Sequence, residues 1–146
     1  MSNLLFDERR PQTSKMIQEL LQERQQVWGL YCELGSMKPF SPTQRIDRKV
    51  QQFCQLLIDY ISLGHFGVYR RIMDGSERRQ RALDTAEKVY AAIEAATDVA
   101  LAFNDKYEKL EIAELRLELE EDLSKLGEAL ATRFDLEDQL MVSLLA

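Results

Sequence analysis

The feature that most narrows the fold is a stripe of apolar residues near the C-terminus. Leu115, Leu119, Leu123, Leu126, Leu130, Phe134, Met141 and Leu144 recur at helical spacing, with acidic residues filling the positions between them. Steps of three and four residues return side chains to one face of a helix, so 113–144 reads as one long amphipathic helix. About 30 residues at 1.5 Å rise span roughly 45 Å, long for a single domain. A bend near Asp122 or at Gly127 is the expected relief. A helix of this kind must bury its stripe against other helices.

Those partners lie upstream. Met16, Ile17, Leu20, Leu21, Val27, Trp28, Tyr31 and Leu34 mark a first helix, capped by Thr13 or Ser14 and closed at Gly35-Ser36. Residues 1–12 read as a frayed arm ending at Pro11. Ser41-Pro42-Thr43-Gln44 is a capping box with proline at the first helical position. It opens a second helix carrying Ile46, Val50, Phe53, Cys54, Leu57, Ile58 and Ile61. Gly64 ends or kinks that helix, and Phe66–Met73 reads as a shorter one, closed by Asp74-Gly75-Ser76. A third long helix starts near Glu77 or Arg78 and runs through Val89, Ile93, Ala100 and Phe103. The stretch Lys106–Ile112 suits a turn or continued helix equally. With six glycines, three prolines and no strand-like alternation, the expected fold is all-α. It is an antiparallel four-helix bundle with additional short helices, a single domain over 13–146.

Composition bounds the function. Hydrophobic content of 45% beside 30% charge describes a folded globular chain. No apolar run approaches the roughly 20 residues of a membrane span. The short patch Asn3–Phe6 gives way at once to charged residues, so no secretory signal is read and the expected location is the cytoplasm. Cys32 and Cys54, both inside apolar helical patterns, are expected to be buried free thiols. The net charge of −6 is uneven. Residues 1–75 carry ten Lys/Arg against eight Asp/Glu, whereas residues 76–146 carry nine against seventeen. An acidic half disfavours direct nucleic-acid binding and suits a basic protein partner, or serves solubility alone.

Catalytic signatures are absent from the sequence: there is no phosphate-binding glycine loop, nucleophile elbow or paired-histidine zinc motif. One histidine, His65, cannot build a two-histidine metal site, and its spacing from Cys54 suits no metal. Glu118, Glu120, Glu121 and Asp122 read as a solvated acidic face, and Arg78, Arg79 and Arg81 as an exposed basic cluster. His65 either bonds a backbone carbonyl at the helix break or responds to pH. Trp28 reads as core. No cofactor or metal is called for, and no enzymatic activity is expected.

The most informative stretch is Phe53–Ile72, in which Asp59 and Ser62 lie one turn apart on the polar side of an apolar helix. Asp59 is either a rim residue or a paired one, since unpaired burial is costly. This stretch, with its Asp59–Phe66 segment D-Y-I-S-L-G-H-F, and the stretch D-L-S-K-L-G-E-A-L-A-T-R-F-D-L-E-D-Q-L at 122–140 resemble the Rsd/AlgQ family of bacterial transcription regulators. The first helix and Lys38-Pro39 match more weakly. The resemblance implies an anti-sigma factor that binds the C-terminal domain four of the primary sigma factor. Binding would keep that domain from core RNA polymerase and from the −35 promoter element, with no direct nucleic-acid or membrane contact. The implied partner-binding residues are Asp59, Ser62, Phe66 and, in the same block, Tyr69. The chain departs from its relatives at Gln18-Glu19-Leu20-Leu21, where they more often carry an acidic-basic-tryptophan-leucine run, and at Arg70, where an acid can stand. An adaptor for another signalling or phosphotransfer pathway, docking through the acidic half, is the alternative. A weak homodimer through the last helix also stays open.

Overall fold

The structure is a computed structural model and describes residues 2–40, 46–64, 80–108 and 112–145. Among the described residues there are four helices and no strand. They are α1 (Ser2–Gly35), α2 (Asp47–Leu63), α3 (Gln80–Glu108) and α4 (Ile112–Leu145). The second helix's capping box, the short helix expected at Phe66–Met73 and the start expected near Glu77 lie outside the described residues.

Side-chain contacts fix how the helices run. Tyr31 of α1 reaches both Phe53 of α2, at 6.2 Å between ring centroids, and the Leu123 carbonyl of α4, at 2.8 Å. Two turns earlier, Arg24 reaches Asp138 at 2.7 Å. Leu20 lies near Gly64, at the far end of α2. α1 is therefore antiparallel to both α2 and α4. Thr97 meets Arg133 and Tyr107 meets Asp122, which sets α3 antiparallel to α4. Each helix packs on the next and α4 closes against α1. The all-α bundle expected from the periodicity is the fold observed.

The apolar stripes meet at the centre. Leu20, Val27 and Leu34 of α1 are buried with Val50, Phe53 and Leu57 of α2, Val89, Ile93 and Ala100 of α3, and Leu119, Leu123, Leu126 and Leu130 of α4. Phe53 packs edge-on to Phe103 at 5.8 Å, and Phe103 lies 4.6 Å from Tyr107.

Three expectations change. α1 begins at Ser2, upstream of Thr13 and Ser14, and passes through position 11. Trp28 is 38% exposed, because it sits one residue beyond Val27 at the edge of the α1 stripe. There it stacks on Tyr31 at 4.9 Å and meets Phe134 edge-on at 5.7 Å. Cys32 shares that outer side of α1 and is exposed, whereas Cys54 is buried.

Gly127 does not interrupt α4, which is helical throughout Ile112–Leu145. The glycine instead makes room for Tyr31, whose Cζ lies 2.7 Å from where a Cβ would stand. Tyr31 can then donate its hydroxyl to the Leu123 carbonyl one turn away. At the other side of α4, Lys106 of α3 binds Asp122 at 2.7 Å and Glu118 at 2.9 Å, and Tyr107 donates to Asp122 at 2.5 Å. Partial burial pushes the Asp122 carboxyl up. The bonds from Lys106 and Tyr107 outweigh it and hold the group below its ordinary value.

Two outcomes are expected. Gly127→Ala should gain helix propensity but displace Tyr31, for a net loss of about 1–2 kcal/mol in urea unfolding. In a Tyr31→Ala background the same change should stabilise, because the obstruction is gone and only the propensity gain of up to ~1 kcal/mol remains. A loss of equal size in both backgrounds would contradict this close-approach reading. For Asp122, a depressed carboxyl contributes stability at neutral pH that is lost as pH falls through its folded value. Wild type should therefore lose stability more steeply than Asp122→Asn on acidification below about pH 4. Parallel acid limbs would contradict it.

Candidate functional site

The outward face of α2 is polar and the inward face apolar, as the spacing requires. Val50, Phe53, Leu57, Tyr60 and Ile61 point into the bundle. Arg48, Gln52, Gln55 and Asp59, at steps of four, three and four, stand exposed on the other side, and Ser62 is half-buried one step further on. The Gln55 side-chain amide donates to Asp59 Oδ1 at 3.1 Å. Asp59 is thus a rim residue, held by a neutral neighbour one turn away. The structure brings Asp59 and Ser62 onto one face. Phe66 and Tyr69, with His65, lie outside the described residues.

Gly64 is where α2 ends, but its conformation is not a break. Its φ of −61° and ψ of −46° are right-handed helical, and its amide still bonds the Tyr60 and Ile61 carbonyls. The helical register therefore carries from Asp59 through Gly64. What calls for glycine is a neighbour: a Cβ here would stand 2.8 Å from Arg133 Nη2.

Arg133 belongs to a buried polar cluster beneath this end of α2. It is 2% exposed and Glu137 5% exposed, both on α4. The Arg133 Nη1 donates to Thr97 Oγ1 of α3 at 2.6 Å, and its guanidinium lies 5.0 Å from the Tyr60 ring centroid. Tyr60 donates its hydroxyl to Glu137 Oε1, and Arg133 Nε approaches that oxygen at 3.8 Å. Burial pushes the Glu137 carboxyl up, and the nearby Arg133 and the Tyr60 bond only partly offset it. Burial, then the Glu137 charge, also push the Tyr60 phenol far above its ordinary range. The cluster ties α2, α3 and α4 together under the segment that carries Asp59 and Ser62.

This cluster was not read from the sequence, though a signal was there. The α4 stripe skips from Phe134 to Met141, and Glu137 occupies the inward position between them. The acidic run on the same helix divides as well. Glu118, Glu120 and Glu121 are exposed, whereas Asp122 is half-buried against Lys106 and Tyr107. No group of three or more His, Cys, Asp or Glu among the described residues could hold a metal ion. No described helix is long and apolar enough to cross a membrane.

Removing one member of a buried ion pair leaves the other charge uncompensated. Glu137→Leu should therefore cost about 3–5 kcal/mol in urea unfolding, and the double change Arg133→Leu/Glu137→Leu clearly less than the single one. A double variant less stable than the single would show that the two charges do not act as a pair.

Comparison with known proteins finds relatives over nearly the whole chain. Residues 3–145 match the family model for the regulator of RNA polymerase sigma(70) subunit, Rsd/AlgQ. The chain is 36% identical over 135 residues to the regulator of sigma D of Yersinia enterocolitica, covering 88% of this chain and 80% of that one. It is also 36% identical over 138 residues to the regulator of sigma D of Shigella dysenteriae, covering 91% and 85%. The corresponding Yersinia pseudotuberculosis protein is 34% identical over 135 residues, covering 88% and 79%. No solved structure gives a significant match. The chain belongs to the Rsd/AlgQ family of regulators of the RNA polymerase sigma(70) subunit.

Proposed function

We propose that this protein is an anti-sigma factor acting by occlusion in the cytoplasm. Its partner is the primary sigma factor, held through the C-terminal domain four and so kept from core polymerase and from the −35 element. The observation that carries the reading is the outward face of α2. There an exposed carboxylate, Asp59, and a half-buried hydroxyl, Ser62, share one side of a helix whose far side is locked into the core.

The chemistry of such a partner fits this face. A domain that reads promoter DNA must contact phosphates, so it presents arginine and lysine. Asp59 can accept a charge-assisted bond from one of them, and its neighbour Gln55 fixes the carboxylate without neutralising it. Phe66 and Tyr69 follow in the same stretch of sequence and supply the aromatic anchors that dominate interface energies. A net charge of −6 speeds encounter with a basic surface, and a basic surface so occupied is closed to DNA. Nothing in this account consumes a substrate; the protein works one molecule for one molecule.

Binding of isolated sigma domain four, measured by calorimetry, tests the reading. Asp59→Ala and Phe66→Ala should each weaken binding by about 2 kcal/mol, roughly 30-fold, with the helical circular dichroism unchanged. Absence of binding by the wild-type protein at micromolar concentration would refute the function. Wild-type affinity in both variants would refute the surface.

A further inference from the structure

Beside the face that carries Asp59, a cleft of about 240 Å³ opens between α2 and α3. Gln51, Cys54, Gln55 and Ile58 line it from α2, and Asn104 and Glu108 from α3. It is smaller than the roughly 300–1,000 Å³ of small-molecule pockets, and of a size for one side chain. Cys54 is buried and Ile58 half-buried, so the α2 wall offers apolar surface between two glutamine amides. Asn104 is only 5% exposed and donates its amide to Glu108 Oε2 at 3.2 Å. That bond orients the carboxylate and does not use its other oxygen, Oε1.

The lining selects by charge. Among the described residues that line it none is basic, and their single formal charge is that of Glu108. Burial, then the Glu108 charge, push the Cys54 thiol up to about 12. The thiol therefore stays protonated at neutral pH, so the described lining offers one anion, Glu108, and no thiolate nucleophile. Amide carbonyls and a carboxylate beside apolar surface suit a cation on an aliphatic stem. Among cations, a guanidinium presents several donors in one plane. It can engage a carboxylate and neighbouring carbonyls together, which an ammonium does less well.

We infer that this cleft receives an arginine side chain from the same partner that docks on Asp59. The two places share a residue: Gln55 lines the cleft and donates to Asp59. An arginine seated against Glu108 and a second cation on Asp59 would lie on one continuous strip along α2. The partner's footprint then crosses from α2 onto the C-terminal turns of α3. This inference rests on the sigma-binding reading, and its test has one arm that does not depend on it.

In that arm, the isotope-labelled protein is titrated with N-acetyl-arginine amide and, separately, with the neutral citrulline analogue. The side-chain amide signals of Gln51, Gln55 and Asn104 should move with the arginine probe and not with citrulline. They should stop responding in Glu108→Gln, which keeps an acceptor for Asn104. In the second arm, Glu108→Gln should weaken binding of sigma domain four about tenfold, as loss of one charge-assisted contact does. Asp105→Asn, an exposed charge outside the cleft, should leave that binding unchanged. An arginine probe that moves none of the three amides overturns the inference. So does a Glu108→Gln variant that binds domain four like wild type. A probe response with no domain-four binding by either protein would fell the sigma reading and leave the cleft as an arginine site for another partner.

Discussion

Burying the guanidinium of Arg133 in the middle of a helical bundle sets conditions that residues on the other helices must meet. A buried cation costs least when its charge is balanced and its donors are used. Here the charge is balanced, while Arg133 Nε and Glu137 Oε2 have no hydrogen-bond partner among the described residues. Glu137, one turn along α4, brings the opposing charge, and Tyr60 of α2 presents both its ring to the guanidinium and its hydroxyl to the same carboxylate. Thr97 of α3 accepts from Nη1. Gly64 has no side chain because Nη2 already fills that space. Few other arrangements of these helices would satisfy all of these contacts together. Leucines can slide past one another at small cost, whereas this cluster fixes register.

The consequence for function lies at the surface. Tyr60 points inward between Asp59 and Ile61, so pinning Tyr60 also fixes how α2 is rotated about its axis. Asp59 and Ser62 then face outward by geometry, and the Gln55 bond keeps the carboxylate aligned on that face. A docking face on a rigid helix pays less ordering entropy on binding than one on a loop. The edge of α1 uses a different device. Trp28 stacks on Tyr31 and meets Phe134 edge-on while remaining over a third exposed, and Gly127 gives Tyr31 its place.

The helices were legible because their apolar residues recur at threes and fours, and a bundle follows from stripes that need burial. Asp59 and Ser62 were legible as one face for the same reason. The errors came where periodicity is silent about chemistry or about the edge of a stripe. Trp28 sits one step beyond buried Val27 and Cys32 one step beyond half-buried Tyr31, so the pattern alone assigned them inward. Glu137 and Arg133 sit at inward positions, and an apolar stripe gives no sign of a charged pair within it. Gly64 was legible as the end or a kink of α2, and that helix does end there. What the pattern does not carry is that at Gly64 and at Gly127 another side chain comes too close for a Cβ, which only tertiary contacts reveal. The cleft beside Glu108 joins residues some fifty positions apart in sequence, a distance no local pattern spans.

The proposed seat of the sigma factor is the outward face of α2. Cross-saturation NMR on the complex with sigma domain four measures this directly, because magnetisation passes only to amides close to the partner. The strongest effects are expected at Gln52, Gln55, Asp59 and Ser62, fading toward the outer surface of α4. Saturation confined to the exposed faces of α3 and α4, with α2 untouched, would contradict it.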